Sequence, residues 1–134
     1  MNIVYNDKKN FSQNDLQDLF LSVEWSSGNF PEKLVVAMEN SGAVFSAWDN
    51  EKLVGLVNVL DDGIMTAYVH YMLVRPEYQG KGIGKKLVGM VSEKYKEYLR
   101  IVLIAYNKEI EFYKNCGFTL GEEASPMSIT SLWT

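Results

Sequence analysis

The chain has 134 residues, 47% hydrophobic and 22% charged, with a formal net charge of -4 at pH 7. Those proportions exclude a disordered or low-complexity chain, and the length suits one domain, residues 1–134, that buries about two thirds of its unfolded surface. One cysteine, Cys116, and one histidine, His70, exclude an internal disulfide and argue against a Cys- or His-rich metal site, while the acidic balance argues against a nucleic-acid partner.

Ile3–Tyr5 reads as a short first strand. Ser12, three residues before Asp15, is an N-cap signal, and Leu16, Leu19, Phe20 and Val23 follow at helical spacing, so a helix is expected to end near Trp25. Pro31 and Glu32 suit the first turn of a second helix, whose apolar side carries Leu34, Val35 and Met38 before Asn40-Ser41-Gly42 stops it. The period then changes to that of strands. Ala43–Trp48, Lys52–Leu60 and Ile64–Val74, separated by Asp49-Asn50-Glu51 and Asp61-Asp62-Gly63, predict an antiparallel meander.

A long helix is expected from Ile83 to about Tyr98, burying Leu87, Val88, Val91, Tyr95 and Tyr98. Leu99–Ala105 reads as a strand covered on both faces, and the strand–helix–strand order implies a right-handed crossover to a parallel neighbour. Glu109–Cys116 predicts a short helix ended by Gly117, and Phe118–Leu120 with Met127–Leu132 a closing pair of strands. No apolar run of membrane-spanning length occurs, and the N-terminal residues show no secretory leader, so the expectation is a cytoplasmic protein without a membrane partner.

The most informative stretch joins the fourth strand to the long helix: Val74-Arg75-Pro76-Glu77-Tyr78-Gln79-Gly80-Lys81-Gly82-Ile83-Gly84-Lys85-Lys86. A strand that empties through a Gly-rich loop into a helix directs unpaired N–H groups and the positive end of the helix dipole at one point. Glycines allow positive φ there, or let an anion reach the amides, and the lysines add charge. The spacing fits neither a P-loop nor a dinucleotide-binding fingerprint.

Gln79-Gly80-Lys81-Gly82-Ile83-Gly84 reads as Q-x-x-G-x-G, and with Leu73-Val74-Arg75-Pro76 before it resembles the coenzyme A signature of the GCN5-related N-acetyltransferases (GNAT). Downstream, Glu111-Phe112-Tyr113-Lys114-Asn115-Cys116-Gly117-Phe118 resembles the same family's FY-x-x-x-GF ending. The resemblance implies an α/β fold with a mixed, mostly antiparallel sheet, splayed central parallel strands and flanking helices. It also implies acetyl-CoA as cosubstrate, no metal, and transfer of acetyl to a primary amine by direct attack through a tetrahedral intermediate.

Carried over residue by residue, the resemblance implies a coenzyme A site made of Met72, Leu73, Val74, Gln79, Gly80, Lys81, Gly82, Ile83, Gly84 and Lys85. Met72–Val74 would offer main-chain groups to the pantetheine arm, and Tyr113 would be the acid toward the sulfur, since a phenol stays protonated at neutral pH. Asn107 is a second pantetheine contact or an ordinary helix N-cap; it stands six residues before Tyr113 where the family more often has seven, a place taken by Tyr106.

The general base is less defined, because the strand after the long helix holds no carboxylate at 100–105. His70, Asp61, Asp62 and Glu24 are the candidates, with His70 preferred. Trp25, Phe30 and Tyr71, with Tyr68 and Trp133, are candidates for an acceptor pocket suited to an arylalkylamine or another small amine. Other acceptors, a protein N-terminus or a lysine, stay open, as does a coenzyme A sensor without chemistry. Members of the family frequently pair, so a homodimer is a further expectation.

Overall fold

A computed structural model describes residues 2–134. The elements run β1 (Ile3–Asn6), α1 (Gln13–Ser22), α2 (Pro31–Asn40), β2 (Ala43–Asp49), β3 (Lys52–Asp61), β4 (Thr66–Val74), α3 (Ile83–Lys94), β5 (Arg100–Leu103) and α4 (Ile110–Asn115). Short 3₁₀ turns cover Ser26–Asn29, Pro76–Tyr78 and Asn107–Glu109. The strands form one sheet in the order β1-β2-β3-β4-β5, antiparallel except for the parallel pair β4–β5. This is the mixed sheet flanked by helices that the sequence implied.

Alternation along the strands sends side chains to two layers. Phe45, Val54, Val57, Val59, Ala67 and Val69 pack under α3 through Ile83, Leu87, Val91 and Tyr95. Val44, Leu53, Leu56 and Leu73 pack on the other face against Leu16, Leu19 and Phe20 of α1 and Leu34 and Met38 of α2. Ser12 starts α1 as its spacing predicts, its Oγ accepting from the Asp15 N–H at 3.1 Å.

Four expectations are corrected. The closing strands at Phe118–Leu120 and Met127–Leu132 are absent: the stretch after α4 has no regular secondary structure. A lone short hairpin is marginal by itself, Pro126 lacks a donor, and the outer edge of β5 takes up neither segment. The long helix ends at Lys94, because Tyr95 is tied to Asp61 by a 2.6 Å hydrogen bond from its hydroxyl and the chain turns at once toward β5. β4 begins at Thr66 rather than Ile64, since Asp62 Oδ1 accepts from the N–H groups of Ile64, Met65 and Thr66 and makes them a turn. β5 is limited to Arg100–Leu103 and is an edge strand with Arg100 and Val102 exposed, not a doubly covered one. Among the described residues no helix is long and apolar enough to cross a membrane.

Candidate active site

The β4–β5 ladder runs only from Thr66↔Arg100 to Val69↔Leu103. Beyond it the strands part, so residues 70–74 of β4 have no strand partner on the β5 side. A cavity of about 550 Å³ occupies this opening, with β4 and the α3 loop on one side and Ile104–Tyr106, Phe112 and Tyr113 on the other.

The parting coincides with a bulge. Val57 pairs with Met72 but Val59 with Val69, so His70 and Tyr71 together oppose Asn58. The extra residue shifts the phase of β4: Ala67 and Val69 before it, and Met72 and Val74 after it, all face the α3 layer. Asn58 pins the bulge from below. Its side chain is buried, its Oδ1 accepts from the Tyr71 N–H at 2.9 Å, and its Nδ2 donates to Ser41 Oγ at 3.1 Å. Sequence reasoning missed Asn58, although a lone amide inside Leu53–Leu60 was the available signal, since a buried amide needs partners. Asn58→Ala is expected to cost about 2 kcal/mol of unfolding free energy, by stranding the Tyr71 N–H. Urea titration checks this; an unchanged midpoint would mean that the bulge holds itself.

The loop after β4 is fixed by Gln79, whose Nε2 donates to the Val74 carbonyl at 2.9 Å. Gly80 and Gly82 have φ of 75° and 85°, in the left-handed region, and a Cβ at either would project into open space. Gly82 is the N-cap of α3, and the first helical bond runs from the Lys86 N–H to its carbonyl at 3.0 Å. The N–H groups of Ile83, Gly84 and Lys85 therefore lack intrahelical acceptors and face outward with the helix dipole. An anion fits there. Gly84 serves packing instead: a Cβ would stand 3.2 Å from the Phe112 ring, so its absence lets α4 close on α3.

Of the residues assigned to cofactor binding, Met72, Leu73, Val74, Gln79, Gly80, Gly82, Ile83, Gly84 and Lys85 line the cavity. Lys81 and Asn107 do not. Asn107 opens the 3₁₀ turn before α4 rather than capping a helix with its side chain, and Tyr106 takes the place on the wall. Lys86 points away, its ammonium 5.9 Å from the Tyr5 ring centroid.

Tyr113 lies on the wall opposite β4, edge-on to Phe112 and Phe118 at 5.0 and 5.9 Å between ring centroids. Burial, reinforced by the negative charge of Glu109, pushes its phenol up to about 12. The hydroxyl thus keeps its proton through the neutral range. Among the described residues, Glu109 is the one carboxylate side chain on the cavity wall, and the sequence reading did not single it out.

His70 also lines the cavity, stacked on Tyr71 with centroids 4.0 Å apart, and desolvation lowers its pKa below the ordinary 6.5. Its ring is therefore neutral at pH 7. The other base candidates lie elsewhere: Asp61 accepts from Tyr95, Asp62 holds the turn before β4, and Glu24 follows α1 outside the cavity lining. Trp25 and Tyr71 line the cavity, whereas Phe30 does not; it precedes α2, with the Lys33 ammonium 5.5 Å from its ring centroid.

Comparison with known proteins agrees with this geometry. The Acetyltransferase (GNAT) domain matches residues 40–120, which takes in β2 to β5, the loop, α3 and the whole of α4 with its FY pair. The chain is 29% identical over 122 residues to an uncharacterized N-acetyltransferase, ycf52, of Pyropia yezoensis, covering 87% of this chain and 70% of that protein. It is 30% identical over 132 residues to the histone acetyltransferase TAP1 of Glycine max, covering 89% of this chain but only 55% of that protein. Among solved structures, the GNAT family acetyltransferase SP0256 from Streptococcus pneumoniae TIGR4 superposes with a TM-score of 0.84 at 25% identity, over 97% of this chain and 98% of that one. A family match over more than half of the sequence, on a fold that parts its parallel strands β4 and β5 beside the matched loop, shows that this chain belongs to the GNAT acetyltransferases.

Proposed function

We propose that the protein is an acetyl-CoA-dependent N-acetyltransferase acting on the primary amine of a small molecule. The observation that carries this reading is the placement, around one cavity, of the unpaired β4 edge, the outward N–H groups at the start of α3, and a protonated Tyr113. The residues fit the cosubstrate: the loop from Gln79 to Lys85 would hold its diphosphate, and Met72–Val74 would meet its pantetheine arm. Bound there, acetyl-CoA supplies an activated acetyl thioester.

The chain's own groups do the rest. Neutral His70 accepts the proton of the incoming amine, directly or through water, and Tyr113 gives its proton to the departing thiolate. The open edge of β4 offers main-chain N–H groups toward developing negative charge on the acetyl oxygen. Because partial desolvation lowers His70 below 6.5 although the residue is exposed, it is deprotonated above its lowered pKa and protonated below it. The rate is therefore expected to rise with pH through a value below 6.5 and then level off, and His70→Gln should remove that acid limb. A pH profile of kcat/KM checks this; an unchanged limb in the variant would assign the base elsewhere.

Thiol release from acetyl-CoA with a panel of amines and peptides tests the reaction itself. Turnover with small amines supports the reading. Turnover with peptides alone would move the acceptor to a protein, as the name of the soybean relative indicates for that protein. Binding without turnover would make the domain a coenzyme A sensor.

A further inference from the structure

Residues 119–134 have no regular secondary structure, and Met127 and Ile129 stand fully in solvent at 94% and 105% exposure. Among the described residues, the hydrogen bonds joining this stretch to the rest of the chain fall on Thr134. Its main-chain oxygen accepts from the Ser27 N–H at 2.7 Å, the Ser26 hydroxyl at 2.5 Å and the Ser27 hydroxyl at 2.9 Å. Its own Oγ1 accepts from the Ser26 N–H at 2.9 Å. Since Ser27 Oγ spends its proton on Thr134, the Tyr71 hydroxyl is the donor in their 2.8 Å bond, and the clamp is tied to the ring that stacks on His70.

Ordering a long loop at a single point costs chain entropy, which these converging bonds offset. The position they fix is the rim of the cavity. The stretch leaves α4 on one wall and ends beside Trp25 on the other, and both Trp133 and Thr134 line the cavity. On the α1 side, Phe20, Trp25, Tyr71, His70 and Tyr68 form a continuous chain of ring contacts. Trp133 joins none of the ring contacts described and remains 52% exposed, so a half-open indole stands on the cavity wall. The carboxylate of this cavity, Glu109, belongs to the α4 wall with Tyr113.

We infer that Trp133, positioned by the clamp of Ser26 and Ser27 on Thr134, forms the outer wall of the acceptor slot and selects amines that carry an aromatic body. The inference rests on the acetyl-transfer reading for the fate of the amine, but not for its binding. A flat ring that enters against Trp133 gains aromatic contact and covers apolar surface, whereas a short alkyl chain cannot. Ser26, Ser27 and Thr134 are positioning residues; Trp133 touches the acceptor.

The test is equilibrium binding of 2-phenylethylamine and of n-butylamine to the full chain, by calorimetry, with and without coenzyme A. The wild type is expected to favour 2-phenylethylamine by about tenfold. Trp133→Ala, a half-exposed site whose loss does not threaten folding, should reduce the preference to within about threefold, and Trp133→Phe should restore most of it. Ser26→Ala with Ser27→Ala removes the hydroxyl bonds to Thr134 but keeps the two main-chain N–H bonds, so it should weaken the preference only in part, with acetyl-CoA affinity unchanged. A wild type without preference, or a Trp133→Ala protein that keeps it, overturns the inference. Retained preference without acetylation of either amine would overturn the proposed reaction and leave the slot standing.

Discussion

Gly82→Asp is expected to weaken acetyl-CoA binding by at least about 100-fold, through two separable effects. A side chain at φ of 85° costs roughly 1 kcal/mol, a modest penalty that Gly82→Ala would show alone as a loss of tenfold or less. The larger effect is electrostatic. The substituent projects into open space beside the free N–H groups of Ile83–Lys85, so a carboxylate there would meet the diphosphate and satisfy the amides in its place. Titration calorimetry on the two variants checks the ordering. If Gly82→Asp bound acetyl-CoA within tenfold of the wild type, the diphosphate would lie elsewhere.

Tyr113→Phe is expected to separate chemistry from binding. The variant keeps the ring and its edge-on contacts with Phe112 and Phe118, so the wall of the cavity stays in place. It removes a proton that burial holds on the oxygen up to about pH 12. The departing thiolate would then take its proton from water, and kcat should fall roughly 10²–10³-fold while the KM for acetyl-CoA changes less than about threefold. The same raised pKa means that ionisation of Tyr113 produces no loss of rate between pH 7 and about 9. Unchanged kcat in the variant would reduce Tyr113 to a packing residue.

The parts of the molecule most legible in the sequence are those where one local rule decides the structure. The glycines at 80 and 82 demand backbone freedom, Ser12 caps α1, and β-strand alternation divides Val44 from Phe45 and Leu53 from Val54 between two layers. What stayed hidden depends on tertiary partners. The bulge opposite Asn58 needs two strands to exist, and it alone explains why His70 and Tyr71 oppose one residue. Lys81 shares the signature with Gly80 and Gly82 yet stands outside the cavity lining, because loop conformation rather than spacing decides where a side chain points. The stretch after α4 has strand-forming residues and no strand, since β-propensity requires a neighbouring edge to act on. Its anchoring at Ser26 and Ser27 joins residues more than a hundred positions apart, a contact that no local pattern announces.

The central claim is that the loop before α3 and the unpaired edge of β4 together hold an acyl carrier. Amide chemical-shift mapping of the isotope-labelled chain during titration with acetyl-CoA tests it most directly. Saturable shifts concentrated at Gly82–Lys85 and Met72–Val74 are expected, with Tyr113 and its neighbours on α4 following. Shifts confined to other surfaces, or none at millimolar acetyl-CoA, would contradict it.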